Sequence, residues 1–165
     1  MENRVRSQLV RRAVTVVMRG GLHAQGNVHI GERQSLVAYL ATRGFFLNLT
    51  EARVRGSDEV MEHLAIRTDL VLWAQSHDPE LPLTSSIAPA FEPRWAEIAL
   101  DGGITLQAGL QIAADQRMTD CIDGRTGFLP AVAAAAVESR ELLGPIAINM
   151  SLAVAVREIS PPRPV

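Results

Sequence analysis

Apolar and polar residues alternate along several stretches of the chain, a pattern that predicts β-strands. The clearest stretches are residues 13–19 and 22–30, and the doublet Gly20-Gly21 lies between them. A period of two turns one set of side chains inward and the other outward. Glycine adopts the left-handed backbone of a tight loop without strain. We therefore predict a β-hairpin in which Met18 lies opposite Leu22 on the inner face.

The same pattern returns later in the chain. Gly102-Gly103 repeats Gly20-Gly21 at an offset of 82 positions (102 minus 20), and the alternation resumes on both sides of it. Without any gap, about fifteen residues of the stretch 12–76 recur in 94–158, against roughly four expected from ordinary residue usage. Such self-similarity indicates two copies of one structural unit.

Each unit continues with further elements. Residues 32–43 carry Leu36 and Leu40 four positions apart, which predicts a short amphipathic helix of two to three turns. Residues 46–54 predict a strand. Residues 64–73 alternate again and predict one last strand. The predicted unit is therefore β-β-α-β-β.

One segment gives conflicting signals. Residues 128–137 correspond to the strand at 46–54, but they include Ala133 to Ala136, and alanine intrinsically favours helix. Strand and helix both stay open for these four residues. The repeat favours the strand, because tertiary context commonly overrides intrinsic propensity.

The predicted fold class is α+β, mostly β: an internally duplicated unit that forms a pseudo-two-fold barrel or sandwich with one shared core. The first repeat spans residues 10–77 and the second spans 94–159. A proline-rich connector covers 78–93, and a disordered proline-rich tail covers 160–165. A unit of about 65 residues is only marginally stable alone, which favours a single compact domain.

Composition limits the possible chemistry and compartment. All sixteen basic residues are arginine, which excludes a lysine Schiff base and a phosphate-loop lysine. Arg4, Arg6, Arg11 and Arg12 form a cluster that we interpret as a solvated arm. The single cysteine, the first residues without the apolar core of a signal peptide and the absence of a long apolar run favour a cytoplasmic protein without membrane insertion. The formal net charge of -2 argues against strong nonspecific binding to nucleic acid.

No spacing of metal-ligating or nucleophilic residues stands out. His23 and His29 lie in the same strand phase, but six residues separate them by roughly 20 Å. His63, His77 and Cys121 fall in other segments, and Ser85-Ser86 lies in the connector. We therefore expect no cofactor, no metal and no enzymatic activity.

Two resemblances concern the fold. Arg117-Met-Thr-Asp-Cys-Ile-Asp123 with Phe128-Leu-Pro130, and Phe46-Leu-Asn-Leu-Thr-Glu-Ala-Arg-Val54, resemble an uncharacterised bacterial β-rich domain family, in tandem duplication. That resemblance implies no activity or site residues. More weakly, the stretch from Val14 to Gly26 resembles the opening strands of Sm-like RNA-binding proteins. Exposed aromatics are few and lysine is absent, so nucleic-acid binding is disfavoured.

The remaining expectation is a non-catalytic protein-interaction or scaffold module, with a protein partner or self-association. The alternatives are an Sm-like nucleic-acid-binding protein, and a small-ligand-binding protein or enzyme with a site between the repeats. Several residues in the outward phase are bulky in the first repeat and small in the second, which predicts an exposed contact patch. The predicted partner-binding residues are Val17, Tyr39, Phe45, Val71 and Trp73.

Overall fold

The protein is described by a computed structural model that covers residues 8–85, 92–113, 115–123 and 127–162. We call residues 10–77 the first half and residues 94–159 the second half. The elements of the first half are β1 (Leu9–Met18), β2 (His23–Gly31), α1 (Leu36–Ala41), β3 (Phe46–Val54), β4 (Met61–Arg67), a 3₁₀ turn (Thr68–Leu70) and β5 (Val71–Ser76).

The second half repeats this order of elements. They are β6 (Arg94–Leu100), β7 (Ile104–Leu110), α2 (Met118–Asp123), β8 (Phe128–Ala136), β9 (Ile146–Asn149), a 3₁₀ turn (Met150–Leu152) and β10 (Ala153–Glu158). Helix α2, β8, the second 3₁₀ turn and β10 begin and end 82 positions after α1, β3, the first 3₁₀ turn and β5, which matches the offset found in the sequence.

All ten strands belong to one antiparallel sheet with the order β10-β6-β7-β8-β9-β5-β1-β2-β3-β4. The prediction of a mostly β fold is confirmed. The predicted barrel is wrong, because β4 and β10 are the two edges of the sheet and have no ladder between them in the described part of the chain. Each half contributes five consecutive strands to this sheet.

The two predicted hairpins are present. The Met18 amide donates to the Leu22 carbonyl at 2.9 Å, and Leu100 pairs with Ile104 at the same place in the second half. Gly20 and Gly21 have φ of 90° and 83°, which is the left-handed region that glycine tolerates. The glycine doublets therefore serve the turns.

The helices are shorter than predicted, and the alanine segment is a strand. Helix α1 has six residues, because the Ser35 hydroxyl already accepts the Ala38 amide and caps the helix there. Ala133 to Ala136 lie within β8 and pair with β7, and on their other side they exchange backbone hydrogen bonds with Glu141 and Leu143. Hydrogen bonds on both sides outweigh the helical preference of alanine.

The single strand predicted over residues 64–73 is wrong. The 3₁₀ turn interrupts it, so that β4 pairs with β3 whereas β5 pairs with β1. The chain must cross between opposite sides of its own half at this point. Apolar residues continue on both sides of the turn, so the alternation conceals the break.

The two halves meet at β5 and β9, where Trp73 pairs with Ile148 and Ala74 with Ala147. A two-fold axis between the halves would also require β4 to pair with β10, and no such ladder joins the described residues. Arg19, however, pairs with its own counterpart Asp101, as residues near a two-fold axis do, and the pseudo-two-fold arrangement stays a prediction. At the junction, the fifth strand of the first half pairs with the fourth strand of the second.

The described part of the connector packs against α1. Leu81 is buried in the core of the first half, and the Pro82 carbonyl accepts the Leu36 amide at 2.9 Å. Arg12 binds Asp78 at 3.0 Å. Arg4, Arg6, Ser86 and the tail beyond Pro162 lie outside the described residues.

Candidate functional site

Four of the five predicted partner-binding residues are buried within the chain. Val17, Tyr39, Val71 and Trp73 are at most 4% exposed, whereas Phe45 is 83% exposed. The four buried side chains are core and offer no contact surface. Burial raises the pKa of the Tyr39 phenol, and the Arg43 guanidinium lies 4.3 Å from the centre of its ring.

The burial of Trp73 and Val17 has a specific cause, which is the junction between the halves. Both side chains pack in the hydrophobic cluster of the second half, together with Ile146 and Ile148. In the opposite direction, Ala147 packs in the cluster of the first half. The bulky outward residues of the first half thus form an internal interface.

The smaller residues of the second half lie where that interface is missing. Ala155 and Ala99 correspond to Trp73 and Val17, and they lie on β10 and β6, next to a free edge of the sheet. Val154 corresponds to the buried Leu72, and it is 73% exposed. The two halves therefore differ in that β5 is covered by β9 within the chain, whereas β10 lies at an edge of the sheet.

Two side-chain amides donate hydrogen bonds to backbone carbonyls across the junction. The buried Asn149 Nδ2 donates to the Val71 carbonyl at 2.9 Å, and Gln75 Nε2 donates to the Leu143 carbonyl. Arg19 and Asp101, near the tips of the two hairpins, form an ion pair at 3.2 Å. The junction thus combines a short ladder, shared apolar packing and three polar contacts.

The edge strands β4 and β10 carry side-chain N–H donors at the positions that correspond to Asn149 and Gln75. Arg67 on β4 stands 82 positions before Asn149, and Arg157 on β10 stands 82 positions after Gln75. Both arginines are more than half exposed, and they pair with Asp69 and Glu97. Arginine supplies N–H donors at each of these two positions.

A polar groove of about 350 Å³ lies on the outer face of β1, β2 and β3. Glu51 projects there, accepts from Asn27 Nδ2 at 3.0 Å and pairs with Arg11 at 3.1 Å. Its φ is 50°, at a bulge where a Cβ on Gly26 would come within 3.1 Å of the Thr50 carbonyl. Strained backbone of this kind persists only when its surroundings enforce it.

A second groove, of about 410 Å³, lies at the corresponding place on the second half. We call it the apolar groove. Ala133 and Ala135 replace the charged Glu51 and Arg53, and Trp95 replaces Ala13. The complete lining is Trp95, Gln107, Ala133, Ala134, Ala135, Ala136, Val137, Arg140, Leu142 and Pro162. The same concavity therefore has opposite chemistry in the two halves.

The histidines are separate and bound to different partners. His77 Nε2 lies 2.5 Å from the Thr15 hydroxyl, and His29 Nε2 lies 3.2 Å from that of Thr50. His23 contacts Trp73 edge-on, and its pKa is lowered by burial and then by the Arg55 charge. Within the described ranges, no three histidine, cysteine, aspartate or glutamate side chains cluster as metal ligands would.

Sequence reasoning missed the grooves and both free edges. The substitutions that distinguish the two grooves were visible in the repeat, as Glu51 and Arg53 against Ala133 and Ala135. The sequence also shows that alanines correspond to Trp73 and Val17 in the second half. It could not show that Trp73 and Val17 are buried, because the surface that covers them belongs to the other half.

Comparison with known proteins adds no relative: no protein-family model, curated protein or solved structure matches the chain. The two resemblances noted in the sequence therefore stay predictions. None of the helices in the described part of the chain has the length and apolar character needed to cross a membrane.

Proposed function

We propose that this chain is a non-catalytic assembly module that joins further copies of itself, edge to edge, through β4 and β10. Internal duplication is part of the proposal, with each half acting as one unit. The observation that carries it is the junction, in which a fourth strand pairs with a fifth strand. At the two edges of the sheet, one fourth strand (β4) and one fifth strand (β10) each have one side without a partner strand in the described part of the chain.

The internal junction predicts the register between two chains. Trp73 pairs with Ile148 and Ala74 with Ala147. Exchanging each residue for its counterpart 82 positions away pairs Ala155 with Ile66, and Val156 with Ala65. The next exposed pair in this antiparallel register is His63 with Glu158, whose side chains can form a hydrogen bond.

The polar contacts of the junction have counterparts at the free edges. Arg67 would donate to the Ala153 carbonyl as Asn149 does to Val71, and Arg157 would donate to the Met61 carbonyl as Gln75 does to Leu143. The apolar contact is smaller because alanine replaces Trp73. The association between chains is therefore weaker than the junction within one chain.

Head-to-tail pairing leaves a free edge at each end until a ring closes. An exposed edge strand is a template for another chain, and proteins normally cover, shorten or charge such edges. Both edges carry charges here, and in the proposed register Glu158 lies opposite His63 while Arg157 lies opposite Leu64. Pairing between copies removes both edges at once.

Nucleic-acid binding is less well supported than assembly. Six arginines of the described chain form ion pairs with carboxylates, which leaves them less available for phosphate contacts. The formal net charge of -2 also disfavours attraction of a polyanion.

A cysteine pair tests the register directly. In the variant with His63→Cys and Glu158→Cys, we expect a disulfide between chains under mild oxidation, because residues directly opposite lie within disulfide range. A non-reducing gel should show covalent species larger than the 17.9 kDa chain. Sedimentation of the wild type should show the corresponding non-covalent oligomer.

The matched control keeps one cysteine and moves the other. In His63→Cys with Val154→Cys, the second cysteine is four residues out of register, about 13 Å along the strand and beyond disulfide reach. This control should stay uncrosslinked. Equal crosslinking of both variants contradicts the register, and a wild type that sediments as a monomer at all concentrations contradicts the assembly itself.

A further inference from the structure

The lining of the apolar groove contains no residue of the edge strands β4 and β10, although Pro162, just after β10, borders it. The groove is a concavity of about 410 Å³, within the size range of small-molecule sites. Such sites are mostly apolar, with a few polar groups that fix the orientation of the ligand. Here Gln107 and Arg140 are the polar groups in an otherwise apolar lining.

Comparison with the polar groove shows what makes the second concavity apolar. Glu51 and Arg53 project over the first half, and their counterparts Ala133 and Ala135 carry only methyl groups. Removing two long charged side chains uncovers the sheet. The cleared space is bordered by Leu142, which is 85% exposed although it is apolar.

An indole forms one wall of the groove, and a glycine makes room for it. A Cβ on Gly109 would lie 3.2 Å from Trp95 Cζ2, so the ring packs directly over this glycine. In the first half the corresponding residues are Asn27 and Ala13. The replacement of Asn27 by Gly109 and that of Ala13 by Trp95 are therefore coupled: the ring fits only because the side chain beneath it is absent.

The single cation of the lining determines the charge of the ligand. Arg140 is exposed at the groove, and it has no carboxylate within ion-pair distance in the described part of the chain. Its φ of 56° holds it in the left-handed region. A carboxylate on the ligand would complement this guanidinium, with the Gln107 amide as a further donor.

We propose that the apolar groove binds a small amphipathic anion, with its apolar body against Trp95 and the alanines of β8 and its carboxylate at Arg140. The site belongs to the second half alone, not to the boundary between the halves. The polar groove lacks the apolar wall that this ligand needs, because Ala13 stands in place of Trp95 and the long side chains of Glu51 and Arg53 occupy the concavity.

Octanoate is the probe for this site, and NMR of the isotope-labelled full chain is the measurement. The chain has two tryptophans, Trp95 in the groove and Trp73 in the junction, so their indole N–H signals give a built-in comparison. We expect octanoate to shift the Trp95 signal in a saturable manner and to leave the Trp73 signal in place. Arg140→Gln should weaken octanoate binding about fivefold and leave binding of uncharged octanol unchanged.

Two substitutions separate the groove from a general apolar surface. Ala133→Glu restores the side chain of the first half and should abolish binding, because it fills the groove and adds a negative charge, whereas Arg53→Ala in the polar groove should leave binding unchanged. Gly109→Ala should displace the Trp95 ring and weaken octanoate and octanol alike. The proposal is wrong if octanoate does not shift the Trp95 signal, if Ala133→Glu binds as the wild type does, or if octylamine binds as tightly as octanoate.

Discussion

Trp73 lies at the centre of the junction between the halves, and it is 4% exposed. Truncating a buried tryptophan removes a large apolar area and leaves a cavity, so Trp73→Ala should lower the free energy of unfolding by about 3 to 5 kcal/mol. Urea unfolding measures this loss. Phe45→Ala is the control: its side chain is 83% exposed, and the expected change is within about 0.5 kcal/mol. Equal effects of the two substitutions would contradict the assignment of Trp73 to the core.

His23 gives the protein a pH dependence of known sign. Burial, and then the Arg55 charge, lowers the pKa of its imidazole below 6.5 in the folded state. The unfolded chain therefore takes up the proton first as the pH falls. The contribution of the neutral His23 imidazole to the free energy of unfolding is fully present above about pH 6.5. It declines as the pH drops through that value towards the folded-state pKa, and then levels off.

We expect His23→Gln to flatten this decline. Urea midpoints at about pH 7.5 and about pH 5 measure the slope for each variant, and the comparison of slopes cancels the loss of the contact with Trp73. His29→Gln, on the same strand, is the control for removing an imidazole. An undiminished slope in His23→Gln would show that other groups carry the pH dependence.

At the scale of elements, the sequence pattern correctly predicted the strands and turns that depend on residues close together in the chain. The strand at residues 46–54 and the two glycine hairpins follow from alternation and turn chemistry, and the structure has them. The break at Thr68–Leu70 was missed, although Thr68 interrupts the inward phase between Ile66 and Leu70, because the alternation resumes at once after it. It is required by the sheet order, which places β4 and β5 at opposite sides of their half.

The same limit applies to the candidate sites. Trp73 and Val17 are buried by contact with the other half. The prediction that they lie in the outward phase of their strands was correct, but the prediction that they are exposed was wrong. The apolar groove depends on Trp95 packing over Gly109, a contact between β6 and β7. Sequence comparison of the repeats identified the positions that differ. It could not assign them to a junction, an edge or a groove.

At the scale of the whole molecule, the single ladder between β5 and β9 gives two corresponding alanines opposite environments. Ala147 on β9 is fully buried in the core cluster of the first half, whereas Ala65 on β4 is exposed at the free edge. A carboxylate at Ala147 would be buried without a partner. A carboxylate at Ala65 would be solvated in a single chain but buried when a second chain pairs with this edge.

Ala147→Asp should therefore lower the free energy of unfolding by about 3 kcal/mol or more, and unfolding should stay a single transition because the residue belongs to both halves. Ala65→Asp should change it by no more than about 0.5 kcal/mol, and yet it should abolish the oligomer seen by sedimentation. Urea unfolding of both variants, at concentrations where the wild type is monomeric, separates the two effects. If Ala65→Asp assembles as the wild type does, β4 is not the docking edge. If Ala147→Asp unfolds in two steps, the halves have independent cores and the junction between them contributes little to stability.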